Sequence, residues 1–158
     1  MRRKMKGNNL EIRRTIPEME TQIVNLFRIL ADAQESDYFQ PHPLTPEHAS
    51  IIANYHGNDF YSFALLNDIA IGYGMLRGWD DGYDIPSLGL TIHPQFRGVG
   101  IGSLLIHYLH TVAMLRGCDN IRLRVNNYNY RAIKLYKKLG YEFKEDSKDY
   151  LLGFLKLK

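Results

Sequence analysis

Residues 93–103 read His-Pro-Gln-Phe-Arg-Gly-Val-Gly-Ile-Gly-Ser, and this stretch restricts the fold more than any other in the chain. It follows an apolar, strand-like segment at 87–92. It opens into a long run, residues 98–116, in which aliphatic side chains recur at helical spacing until Gly117 ends it. Glycine lacks the Cβ that would hold a ligand away from the backbone. The first turn of a helix leaves its N–H groups without intrahelical partners and carries partial positive charge. A glycine-rich strand-to-helix turn is therefore an anion seat suited to phosphate, and Arg97 adds a full charge at its rim.

The rest of the sequence supplies a sheet and helices around that turn. Alternation over 10–16 predicts a first strand, and Thr15 with Pro17 and Glu18 signals a helix start. Ile23, Leu26, Phe27 and Leu30 form one apolar helical stripe that fades near Ser36. Three prolines make 40–46 a loop, after which Thr45 caps a short helix with Pro46 in its first position. Runs at 60–66 and 69–77, joined at Asn67-Asp68, form a hairpin, and 78–86 is a polar and aromatic loop. In the long helix, Ile101, Leu104, Leu105, Tyr108, Val112 and Leu115 mark the expected buried face. A strand at 121–125, a helix at 130–139 with Ala132, Leu135, Tyr136 and Leu139 on one side, and strands at 141–146 and 150–157 complete the chain. The predicted fold is α/β (α+β): a single domain with a mixed sheet of about seven strands flanked by four helices. The strands near 90–92 and 121–125 should run parallel, joined by a right-handed crossover. Residues 1–9 are expected to be a basic, flexible tail and 10–158 the folded domain.

Composition removes several function classes. Of the 20 Lys and Arg, four (Arg2, Arg3, Lys4 and Lys6) fall in the tail, so the rest nearly balance the 17 Asp and Glu. A nucleic-acid binder should carry its charge on the folded surface, so none is expected as a partner. A single cysteine, Cys118, rules out an intrachain disulfide. No apolar run reaches bilayer-spanning length, and the basic N-terminus has no apolar core behind it, so a cytoplasmic protein without membrane attachment is expected. The six histidines show no metal-ligand spacing, and no metal is expected. Arg122 and Arg124 read as a solvated strand face, with one of them a candidate for the 3′-phosphate of a nucleotide cofactor.

Other phosphate-binding turns fail on single residues. A Rossmann fingerprint counted from Gly98 needs glycine where Ser103 stands. A Walker A loop needs lysine between Gly102 and Ser103. Arg97, Gly100 and Gly102, spaced Arg-x-x-Gly-x-Gly, instead resemble the acetyl-CoA pyrophosphate motif of the GNAT superfamily of N-acetyltransferases. Asn129, Ala132, Leu135 and Tyr136, followed by Gly140-Tyr141, resemble that superfamily's second signature. The two motifs occur in the superfamily's order, with a strand between them.

The resemblance implies a GNAT-like fold whose two parallel strands splay apart at the cofactor site. Leu90, Thr91 and Ile92 would receive the pantetheine arm. The backbone amides of Arg97, Gly98, Val99, Gly100, Gly102 and Ser103 would hold the pyrophosphate, and the Asn129 side-chain amide would touch the cofactor. Tyr136 would face the sulfur and hydrogen-bond the departing thiolate. The cofactor implied is acetyl-CoA, as co-substrate, and the partner is a small-molecule amine rather than a protein; a homodimer is compatible. Many superfamily members place a glutamate early in the strand before the turn, and residues 85–90 contain none. Asp84, then His93, remain as proton acceptors, with a water relay as an equal alternative. Trp79, Asp80 and Tyr83 are candidate acceptor-binding residues, on a wall suited to a cationic or sugar-like amine. An amino sugar or amino acid is the favoured acceptor. The alternative is a non-catalytic acyl-CoA-binding or sensing module of the same fold.

Overall fold

The computed structural model describes residues 7–34 and 41–158. Residues 1–6, with the basic cluster, and Ser36 and Gln40 lie outside the described residues. Seven strands form one sheet: β1 (Leu10–Arg14), β2 (Phe60–Leu66), β3 (Ile69–Arg77), β4 (Ser87–Ile92), β5 (Asn120–Asn126), β6 (Glu142–Ser147) and β7 (Tyr150–Lys156). Their order across the sheet is β1-β2-β3-β4-β5-β7-β6. Every neighbouring pair is antiparallel except β4 and β5, which are parallel. The helices are α1 (Glu20–Asp32), α2 (Pro46–Ala53), α3 (Ile101–Leu115) and α4 (Tyr130–Lys138). The mixed seven-stranded sheet with four helices is the architecture expected from the sequence.

Alternation along the central strands sends side chains to two cores. Tyr61, Phe63, Leu65, Tyr73 and Met75 pack against α1 and α2 on one face. Leu76, Leu88, Ile121, Leu123 and Val125 pack with α3 and α4 on the other. The hairpin turn works without glycine because Asn67 and Asp68 both take positive φ, at 50° and 65°. These are the residue types that tolerate the left-handed region a two-residue hairpin turn requires.

Two local expectations shift. Thr15 does not cap α1: its hydroxyl donates to the Ile52 carbonyl at 2.9 Å, tying the end of β1 to α2. A 3₁₀ turn at Pro17–Met19 precedes α1 instead. The buried stripe of α3 is Ile101, Leu105, Ile106, Leu109, His110 and Ala113, whereas Leu104 and Leu115 are exposed. The helix is apolar on several sides, and where β3 carries Gly72 and Gly74 it admits Leu105 and Leu109, which sets the rotation. A Cβ added at Gly74 would lie 2.9 Å from Leu109 Cδ1. Gly74→Ala is therefore expected to destabilise the domain by about 1–3 kcal/mol through overpacking, measured as a lower midpoint in chemical denaturation.

His42 fixes the segment after the undescribed residues onto the sheet. Its ring nitrogens lie 2.8 Å from the Pro43 carbonyl and 2.7 Å from the Tyr73 hydroxyl. A carbonyl only accepts, so Nδ1 carries the proton and Nε2 accepts from Tyr73. On α3, His110 Nε2 lies 2.7 Å from the Tyr141 hydroxyl. Burial is the main cause that pushes both imidazoles down from 6.5 to about 4. The unfolded chain thus takes up protons from about pH 6.5 downward while the folded one resists until about pH 4. Stability is expected to fall across that window and to level off below it with respect to these groups. Melting curves of the protein and of His110→Gln between pH 4 and 7 check this: the variant should show the shallower acid slope.

Candidate active site

The parallel pair β4–β5 is bonded only at its start. Ser87 pairs with Arg122 and Leu88 with Leu123, and the ladder goes no further. On its other edge β4 stays paired to β3 through Leu90, Thr91 and Ile92. The strands therefore diverge past Leu88, leaving one backbone edge of β4 without strand partners. Buried backbone polar groups need partners, so this edge is suited to an amide-bearing chain laid alongside it. The Thr91 Oγ1 is buried here and has no hydrogen-bond partner among the described residues.

A hollow of about 500 Å³ runs along this edge on the α3/α4 face. Leu90, Thr91, Ile92, Arg97, Gly98, Gly100, Gly102, Ser103, Asn129 and Tyr136 line it. These are the sequence-predicted cofactor residues and Tyr136, with Val99 the one exception. The Val99 side chain is 70% exposed, and only its backbone belongs to the turn. The turn takes its shape from Gly98 and Gly100, at φ 77° and 97°. Those values start α3 at Ile101, three residues later than its apolar run suggests. Gly100 is the N-cap and offers no capping side chain, so the first N–H groups of α3 have no side-chain cap. The Arg97 guanidinium turns back to donate from Nε and Nη2 to the Ile92 carbonyl, at 3.2 and 3.1 Å, closing the end of β4.

Arg131 and Phe96 also line the hollow and were not singled out from the sequence. A Cβ on Gly98 would lie 3.3 Å from Arg131 Nη2, which places a second guanidinium over the turn. Its position two residues after Asn129, on the first turn of α4, was the available signal. Asn129 caps α4: its Oδ1 accepts from the Ala132 N–H at 3.3 Å. That fixes the side chain's orientation and leaves its NH₂ end to face the hollow.

A second hollow, about 330 Å³, opens through the gap toward the α1/α2 face. Its walls include Pro41, Met75, Arg77, Asp81, Tyr83, Ser87, Gly89, Arg122, Arg124 and Tyr150. Leu90, Asn129, Ala132 and Tyr136 line both hollows, so the two meet at Tyr136. Tyr136 is 7% exposed, and burial alone pushes its phenol well above the ordinary range. It remains a neutral O–H donor at every physiological pH.

Several candidate residues lie apart from this junction. Asp84 is exposed and lines neither hollow; its carbonyl faces Cys118 Sγ at 3.8 Å. His93 Nδ1 accepts from the Gln95 N–H at 3.1 Å, so in the neutral ring Nε2 carries the proton and no lone pair is left to act as a base. Burial also lowers its pKa. Trp79 stacks under the Arg116 guanidinium at 4.4 Å, away from both hollows. Asp80 accepts from the Tyr55 hydroxyl and from the Asn58 N–H at 2.7 Å, stitching the loop to the segment before β2. Of the expected acceptor wall only Tyr83 lines the hollow, joined by Asp81.

Arg122 and Arg124, read from the sequence as a solvated strand face, both line the second hollow; Arg124 is exposed, as that reading expects, and Arg122 is half-buried. Residues two apart on a strand share a face, and on that face the Arg122 guanidinium lies 5.0 Å over the Tyr83 ring. Burial pushes the Cys118 thiol up, which removes it as a nucleophile. Among the described residues no three His, Cys, Asp or Glu side chains converge on a metal position, and no helix is long and apolar enough to cross a membrane.

Known proteins share the fold. A crystal structure of PaiA N-acetyltransferase from Thermoplasma acidophilum in complex with coenzyme A superposes with a TM-score of 0.77 at 16% identity, covering 94% of this chain and 99% of that one. An acetyltransferase of the GNAT family from Streptococcus pneumoniae gives 0.74 at 22% identity, covering 94% and 99%. At such identities these matches establish the fold. In sequence, an acetyltransferase of Pectobacterium atrosepticum is 38% identical over 87 residues, which span 55% of this chain and 60% of that protein. The sequence model of the Acetyltransferase (GNAT) family matches residues 25–141, running from α1 through the glycine turn, the diverging strands and α4 to the aromatic residue after it. Since that match takes in most of the chain and both of the motifs around which the two hollows are built, the chain belongs to the Acetyltransferase (GNAT) family.

Proposed function

We propose that the protein transfers an acetyl group from acetyl-CoA to the primary amine of a small-molecule acceptor. The observation that carries this reading is the meeting of two hollows at Tyr136, one behind the glycine turn and one behind the arginines of β5. The pyrophosphate would rest on the N–H groups that open α3, with Arg131 over it, and the pantetheine amides would pair with the free edge of β4. This directs the thioester into the gap between β4 and β5.

The amine nitrogen then attacks the thioester carbonyl from the second hollow. A C–N bond forms, a tetrahedral intermediate follows, and the C–S bond breaks as it collapses. Tyr136 donates a hydrogen bond to the sulfur as it gains negative charge. A phenol with so high a pKa holds its proton, so it stabilises the thiolate by hydrogen bonding, and the thiolate takes its proton from solvent. The amine's own proton leaves through water, because neither Asp84 nor His93 is placed to take it.

Release of free thiol from acetyl-CoA, followed with a panel of amines, tests the reading. Turnover with at least one amine, first order in enzyme, is expected. Tight acetyl-CoA binding with no turnover for any amine would overturn it in favour of a non-catalytic acyl-CoA sensor.

A further inference from the structure

We infer that the acceptor carries an anionic group, a carboxylate or a phosphate, and that Arg122 and Arg77 recognise it in the second hollow. This rests on the acetyl-transfer reading of the same site. Arg77 pairs with Ser87, and Ser87 pairs with Arg122, so the two arginines flank one serine in a single row across three strands. Neighbouring residues in a row point to the same face of a sheet. Arg124 follows two residues along β5 on that face.

The partners of these arginines differ. Arg124 is committed: its Nε bonds Asp146 at 2.8 Å and its guanidinium lies 3.8 Å over the Tyr150 ring. Arg77 gives Nη1 to the Pro41 carbonyl at 2.5 Å, which neutralises no charge. Arg122 lies 5.0 Å over the Tyr83 ring, and its Nε is buried with no hydrogen-bond partner among the described residues. Among the described residues, two guanidiniums with no carboxylate partner thus share a wall with one carboxylate, Asp81. Buried charge and buried N–H groups are costly without a counter-charge that also accepts hydrogen bonds. A planar guanidinium matches carboxylate and phosphate oxygens in a bidentate fork.

A purely cationic acceptor such as a polyamine would meet repulsion here. The row lies three residues before Leu90, roughly 10 Å along β4 from the junction of the hollows. The anionic end therefore sits down the strand from the attacking amine, at a distance shortened by the reach of the arginine side chains.

The test compares matched amines that differ only in charge: an amino acid against its carboxamide, and an amino sugar against its phosphate ester. Thiol release from acetyl-CoA gives kcat/KM for each. The anionic member of at least one pair is expected to exceed its neutral partner by about 10- to 100-fold. Which pair responds separates carboxylate from phosphate. In Arg122→Gln that ratio should fall toward one, and Arg122→Lys should restore part of it, whereas a merely structural role would lower both members of a pair together. Arg77→Gln serves as the second variant if Arg122→Gln fails to fold. Equal rates within both pairs, a preference for polyamines, or an unchanged ratio in the variants would overturn the inference. If no amine turns over, calorimetric binding of the same compounds to the CoA-loaded protein decides separately. Arg122-dependent binding of an anionic member would uphold the anion site while the transfer reading fails, and absence of such binding would overturn the site as well.

Discussion

Tyr136→Phe is expected to lower kcat for acetyl transfer by about 10²-fold while leaving acetyl-CoA affinity close to that of the parent protein. The change removes one oxygen. Among the described residues no hydrogen bond to this hydroxyl is lost with it, and burial raises its pKa. A large kinetic effect with little effect on the melting temperature would therefore isolate the hydroxyl's role at the departing sulfur. The pH profile carries a second readout. A phenol held well above its ordinary range does not ionise where activity is measured, so Tyr136 contributes no fall in rate on the alkaline side. Equal kcat in the variant would remove Tyr136 from the donor role, and an alkaline fall in rate that disappears with the hydroxyl would show that it ionises within the range where activity is measured.

The second large effect is expected at Gly100. At φ 97° a β-branched residue is a strong outlier, so Gly100→Val must rebuild the turn that aims the N–H groups of α3. The cost in stability is modest, about 1–2 kcal/mol, because a Cβ at Gly100 would meet nothing within 4 Å. The loss falls on the ligand instead: acetyl-CoA should bind at least about tenfold more weakly, as each 1.4 kcal/mol of lost anion contacts is a factor of ten. Titration calorimetry on the folded variant measures it. Val99→Ala, at an exposed side chain pointing away from the hollow, should bind as the parent does. Unchanged affinity in Gly100→Val would show that the turn does not seat the diphosphate.

The hollow behind the glycine turn was legible because its determinants are local. Arg97 to Ser103 and Asn129 to Tyr136 are short segments in which residue type sets backbone shape, cap and helix face, and they fold much as they read. The second hollow was not legible, because its walls are drawn largely from β3, β4, β5 and the loop before β4. Arg122 and Arg124 alternate with Ile121, Leu123 and Val125 as an exposed strand face would, and only the tertiary structure puts both on the wall of a hollow, with Arg122 half-buried and Arg124 exposed. Asp80 and Trp79 looked like an acidic, aromatic wall, but they bond to Tyr55 and Asn58 and stack against Arg116.

The sequence by itself determined the α/β architecture, the glycine turn that opens α3, and the helix that carries Tyr136. Each follows from periodicity, capping and backbone freedom within a few residues. Only the tertiary structure decided where β4 and β5 part, that both hollows converge on Tyr136, and that arginines line the second hollow. Those outcomes depend on the register between strands distant in the chain, which burial across the whole sheet fixes and no single segment encodes.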